Sequence, residues 1–191
     1  MAPWPEDGLL SGDVLLRTWR PEDVEARLVL DSDPEVFRWS PLAQVPDLEW
    51  VQQRVDQAVR DAEAGCPASF AVVAADNDSR VLGSVDWRNR YPTPPFSVID
   101  VGYAVAAAAR GGGVGSTAVR LLTGWLMSPA GGDVYRVQLD HAVENVASCK
   151  TALRAGFAIE GRRPGYLPLR EHSGAPMVRH AVCLHGRVRE D

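Results

Sequence analysis

Four of the five residues that follow Arg110 are glycine, in the run AAAARGGGVGSTA. Glycine at that density suits neither a helix nor a strand, since each costs roughly 0.5–1 kcal/mol against alanine in regular structure. Yet the run stands between an alternating apolar stretch, SVIDVGYAVA, and a helix-like stretch, TAVRLLTGWLM. A strand must therefore pass into a helix through almost bare backbone. The first amides of a helix have no carbonyl partner, and its macrodipole is positive there. Such a join is suited to an anion, above all a phosphate.

The neighbouring patterns set the fold class. VLLRTW (14–19) reads as a strand, and RPEDVEARLVLDSDPEVFRW as a helix with proline at its start. Leu48, Val51, Val55, Ala58, Val59 and Ala62 recur at three and four, which predicts an amphipathic helix ending at Gly65. SFAVVAADNDSRVLGSVDWRN predicts two strands around an Asp/Asn turn. After the Pro-rich loop YPTPPF come a strand over 97–105, the glycines and a helix over about 116–127. VYRVQLDHAV reads as a strand and NVASCKTALRAG as a short helix ending at Gly156. FAIEG and MVRHAVCLHG are the closing strands, around a loop with Pro164, Gly165 and Pro168. Three strands in succession speak against a regular doubly wound sheet. The expectation is one α+β domain over 1–191, with a mixed central sheet antiparallel in its first half, helices flanking it, and residues 1–12 a loosely ordered tail.

Three phosphate-binding chemistries compete for the loop. A nucleoside-triphosphate loop needs Gly-Lys-[Ser/Thr], and no lysine occurs from 107 to 127. Gly113-Val114-Gly115-Ser116-Thr117-Ala118 fits a dinucleotide fingerprint, with Asp140 as its ribose acid. Its βαβ unit, however, comes late in the chain and no second nucleotide-binding half follows. The third reading starts from the spacing Arg110-x-x-Gly113-x-Gly115.

IDVGYAVAAAARGGGVGSTAVRLLTGWLM resembles the acyl-CoA-binding segment of the GNAT superfamily of N-acetyltransferases. ENVASCKTALRAGFAIEG (144–161) resembles that superfamily's second conserved segment, in the branch that holds the ribosomal-protein N-terminal acetyltransferases. The resemblance implies a GNAT-like fold whose strands splay at the coenzyme site. It implies acetyl-CoA as co-substrate, a small-molecule or peptide N-terminal amine as acceptor, and direct attack in a ternary complex. The main chain of Tyr103, Ala104 and Val105 would pair with the pantetheine arm. Arg110, Gly111, Gly112, Gly113, Val114, Gly115 and Ser116 would cradle the pyrophosphate, and Asn145 and Ser148 would touch the coenzyme. A homodimer is compatible with it. A non-catalytic acyl-CoA sensor, or a transferase of succinyl or another acyl group, stands as the alternative.

Acyl transfer to an amine needs a base, a polarised carbonyl and an acid for the leaving thiolate. Ser148 is the candidate acid by resemblance, with Tyr166 as a substitute. Glu144 is the candidate base, with Asp86 and Asp100 as alternatives. Trp39, Trp87 and Asp86 are candidates for the acceptor pocket; Trp50 belongs with them. Asn145 also suits a plain helix cap. His141 is a titratable group at a strand end, and Cys149 a less favoured nucleophile.

The net charge of −5 and the lack of a basic run argue against nucleic acid. No apolar run approaches the length of a membrane span, and the N-terminus lacks a signal-like pattern. The expected location is cytoplasmic. Cys66, Cys149 and Cys183 are far apart, and His141, His172, His180 and His185 lack ligand spacing, so no metal is expected.

Overall fold

The structure, a computed structural model, describes residues 4–90 and 98–189; the expected loop 91–96 lies outside the described residues. The strands are β1 (Leu9–Ser11), β2 (Val14–Thr18), β3 (Ser69–Ala74), β4 (Asn77–Asn89), β5 (Val98–Val105), β6 (Arg136–Ala142), β7 (Ala158–Leu169) and β8 (Val178–Val188). The α-helices are α1 (Val24–Asp31), α2 (Pro34–Arg38), α3 (Leu48–Glu63), α4 (Val114–Met127) and α5 (Val146–Arg154). All eight strands form one sheet in the order β1-β2-β3-β4-β5-β6-β8-β7. β1 through β5 pair antiparallel, as expected for the first half. β5 and β6 run parallel, with α4 as the crossover between them.

Alternation along the strands gives the sheet two apolar faces. On one, Val85, Ile99, Val101, Val137 and Leu139 pack under Ala118, Leu122 and Leu126 of α4. On the other, Ala71 and Val73 pack under Val51, Val55 and Ala58 of α3 and Val24 of α1. Leu48, read as part of the α3 stripe, is exposed.

Three elements differ from the sequence reading. The segment after Arg20 is two helices, because Pro34 forces Asp33 into extended backbone, where it caps α2. The expected loose tail is packed chain from Trp4 onward: Trp4 stacks on Phe70 at 4.0 Å, and Leu9–Ser11 add β1. β7 runs straight through Pro164, Gly165 and Pro168. It is the outer strand, where proline costs no interior ladder bond, and the register shifts between Arg163 and Leu167. No helix among the described residues is long and apolar enough to cross a membrane.

Leu122 is fully buried where α4 meets the sheet. Leu122→Ala should cost about 2–5 kcal/mol in chemical denaturation, whereas exposed Leu153→Ala should stay within about 0.5 kcal/mol. Equal costs would contradict this packing.

Candidate active site

The parallel register of β5 and β6 consists of Val98↔Arg136, Ile99↔Val137 and Asp100↔Gln138. Beyond Asp100 the strands part, so residues 101–105 pair only with β4. Ala106 N–H bonds Leu82 O and Arg90 N–H bonds Val98 O, so the even-numbered residues of β5 turn their backbone groups to β4. By the alternation of an antiparallel ladder, those of Val101, Tyr103 and Val105 turn toward the gap. Ala104, expected to offer its main chain there, faces β4. The gap is an open edge for an extended arm to bond as a strand would.

At the head of the gap is the glycine loop. Gly111 and Gly113 both sit at φ +82°, a region costly for other residues. Gly115 answers a different need: a Cβ there would meet Tyr103 Cε2 at 3.1 Å and Val105 Cγ2 at 3.2 Å. It lets α4 lie close on β5. The first amide of α4 to reach a carbonyl is that of Thr117, bonded to Gly113 O at 3.0 Å. The amides of Val114, Gly115 and Ser116 precede it and are open to an anion. Ser116 Oγ donates to Gly113 O at 2.9 Å. Arg110 turns from the loop: its NH2 donates to Asp33 Oδ1 at 2.6 Å and its Nε to Val105 O at 3.2 Å. Asp33 also accepts from Glu35 and Val36 N–H; burial raises its pKa, but Arg110 and those amides outweigh it and hold it below the usual range. Beside the loop, a cavity of about 400 Å³ is lined by Arg80, Leu82, Ala106, Ala109, Arg110 and Gly112, among others.

Tyr103 and Ser148 meet across the fork, the phenol OH donating to Ser148 Oγ at 3.1 Å. Ser148 is buried. Asn145 caps α5, its Oδ1 accepting from Ser148 N–H at 3.0 Å.

On the other face of the fork stand carboxylates. Asp100 accepts from Arg90 Nε and Gln138 Nε2, both at 2.6 Å. Arg90 NH1 also bonds Tyr166 OH at 2.7 Å, tying the end of β4 to β7. Asp140 follows two residues after Gln138. Its Oδ2 is buried without a hydrogen-bond partner, with Arg90 NH2 at 3.8 Å. Burial, reinforced by the charge of Asp100, raises its pKa against the pull of Arg90. Asp86 shares this face through its pairing with Gly102.

Other candidates lie elsewhere. Trp87 alternates onto the α4 face, packs against the core there and donates Nε1–H to Pro67 O at 3.1 Å. It does not share a pocket with Asp86. Trp39 contacts its own helix segment, through Glu35 at 3.3 Å and the Arg38 guanidinium over its ring. Glu144 is largely exposed and 3.3 Å from His180 Nδ1; its own backbone amide, then His180, hold its pKa low despite slight burial. A carboxylate so stabilised makes a weak base. Sequence reasoning missed Arg80 and Asp33, which only long-range pairing brings to the loop. It also passed over Asp140 as a base, although its position at a strand end was legible.

The family model of the acetyltransferase (GNAT) domain matches residues 13–158. No curated protein sequence matches the chain. Among solved structures, the chain is similar to a GNAT-family acetyltransferase from Bacillus anthracis, with a TM-score of 0.79 at 15% identity over 96% of this chain and 99% of that one. It is also similar to the ribosomal-protein-S5-alanine acetyltransferase from Vibrio fischeri, at 0.78 and 20% over 95% and 96%. A third likeness is to the spermidine N-acetyltransferase from Vibrio cholerae in complex with CoA and spermine, at 0.72 and 14% over 93% and 96%.

Two glycines separate shape from binding. Gly113 has left-handed backbone. Gly113→Ala should therefore lose about 1–2 kcal/mol of stability. Gly112 has ordinary φ and open surroundings. Gly112→Ala should keep stability within about 0.5 kcal/mol, yet weaken coenzyme A at least tenfold by calorimetry. Unchanged affinity would remove Gly112 from the binding surface.

Proposed function

The chain belongs to the GNAT acetyltransferase family, which transfers an acyl group from acyl-CoA to an amine, and on that premise we propose that it moves acetyl from acetyl-CoA to a primary amine by direct attack in a ternary complex. The observation that carries the reading is the open edge of β5, with unpaired α4 amides at one end and the half-buried Asp140 at the other. The pyrophosphate lies on residues 111–116, and Arg80 and Arg110 are the nearby cations for the coenzyme's phosphates. The pantetheine arm bonds the gap-facing main chain of Val101 and Tyr103. The acetyl carbonyl then reaches the fork, with the acceptor entering from the side of Asp86 and Asp140.

Asp140 is the base in this reading, in place of Glu144. It is half-buried, its pKa is raised, and its buried Oδ2 lacks a hydrogen-bond partner, so it can take a proton from the attacking amine. The amine nitrogen bonds to the carbonyl carbon, the C–S bond breaks, and the sulfur leaves as thiolate. The Tyr103–Ser148 pair meets that thiolate: Ser148 donates its proton to sulfur and regains one from Tyr103, which is reprotonated from solvent as Asp140 releases the amine proton there, or the pair holds the anion by hydrogen bonding. The acceptor is a small molecule or a peptide N-terminus. The chain acts in the cytoplasm, needs no metal for acetyl transfer, and uses neither nucleic acid nor membrane.

Acetyl-CoA at 100 times its Kd should add about 2.7 kcal/mol of stability, which at this size raises Tm by about 5–10 °C. Thiol release should then follow with at least one of a panel of primary amines. Stabilisation without release on any amine would favour the sensor, and no stabilisation would remove the coenzyme reading. Asp140→Asn should lower kcat about 10²–10⁴-fold while leaving coenzyme affinity unchanged. Because the Asp140 pKa is raised, the wild-type acid limb of kcat/KM should fall above the ordinary aspartate value of about 3.9, with activity rising as pH passes through it. A variant with full activity would exclude Asp140 as base.

A further inference from the structure

The three groups that the linear spacing left apart come together between β6 and β8. Register pairs His141 with Cys183, and strand alternation puts His185 on the same face as Cys183. His141, Cys183 and His185 are all buried, His185 completely. Their ligand atoms lie within 4.8 Å of one another. The two Nε2 atoms point at each other at 3.1 Å. His141 Nδ1 lies 2.8 Å from Ala142 O. That contact fixes the His141 proton on Nδ1 and leaves its Nε2 lone pair free. His185 then donates Nε2–H to that lone pair, and its Nδ1 is a buried nitrogen with no partner. The acyl-transfer chemistry uses none of these groups.

We propose that His141, Cys183 and His185 form a buried site for a transition-metal ion of zinc type, clamping β6 to β8. Two imidazoles and thiolate suit tetrahedral zinc, in which paired imidazole nitrogens lie about 3.3 Å apart and nitrogen and sulfur about 3.6 Å. The Nε2 separation already meets the first distance. The rest of the cluster has to contract by about 1 Å. The Nδ1–H to backbone carbonyl contact of His141 is the outer support that orients a ligating imidazole. With these three protein ligands, the fourth tetrahedral position falls to a water or hydroxide. On binding, the ion displaces the Cys183 thiol proton to solvent, and the His185 proton moves from Nε2 to Nδ1. The buried surroundings mean that the ion is loaded as the chain folds.

The test uses the full chain with exposed Cys66 changed to serine, so that its thiol does not contribute. Metal is measured by mass spectrometry as purified, and again after unfolding with chelator and refolding with excess cobalt(II). The expected result is about one ion per chain, with visible cobalt bands of tetrahedral type and a near-ultraviolet thiolate-to-cobalt band. Cys183→Ser should lose much of that band, and His185→Gln should lower metal affinity at least tenfold. Should either variant fail to fold, the parent still decides: a cobalt spectrum without thiolate character, or a Tm that chelation leaves unchanged, overturns the proposal. So does less than about a tenth of an ion per chain in both preparations, or metal bound equally well by folded variants.

Discussion

The pairing of β5 with β6 stops at Asp100 and Gln138, and the site depends on that stop. Gln138 bonds Asp100 at 2.6 Å, and Arg90, just past the end of β4, grips the same carboxylate. This clasp pins the base of the fork. Had the ladder continued, β6 would cover the groups that a coenzyme arm is expected to bond. Because it ends, a sheet interior acquires an edge where a ligand can complete the hydrogen bonding. α4 starts at the open end of the same edge, and Gly115 lets it lie close against Tyr103 and Val105.

The sheet's two faces divide the chemistry. On the α4 and α5 side are the glycine loop, Tyr103 and Ser148, groups suited to a phosphorylated thioester. On the α1 and α3 side are Asp86, Asp100 and Asp140, suited to holding and deprotonating an amine. Arg110 connects the faces, since its guanidinium reaches Asp33 at the start of α2. The likeness to solved acetyltransferases stays at 20% identity or below for those described, and it carries the fold. The matched GNAT domain carries the class of reaction.

Much of the glycine-loop side was legible because its conformational requirements are local. Left-handed backbone at Gly111 and Gly113 calls for glycine within one turn, and the α4 stripe follows in the next residues. The cap of α5 was legible too, as Asn145 three residues before Ser148. The carboxylate face was not, because it depends on strand register. Nothing adjacent in sequence tells Asp140 that Asp100 and Arg90 will be its neighbours. Alternation places Trp87 and Asp86 on opposite faces, so their adjacency in sequence misled. His141 and His185 lie 44 residues apart and meet only through the β6–β8 pairing. Pro164 and Pro168 argued for a loop, yet an outer strand accommodates both. Local conformational demands were readable, and cross-strand company was not.

Amide hydrogen exchange, with and without acetyl-CoA, reads the open edge directly. The account predicts that coenzyme slows exchange in two separated stretches: the gap-facing amides of Val101, Tyr103 and Val105, and the loop amides from Gly111 to Ser116. The β4-facing amides of Gly102 and Ala104 should change far less, since β4 already protects them. Protection that omits residues 101–105, or that falls equally on odd and even positions of β5, would contradict the claim that the coenzyme completes this edge.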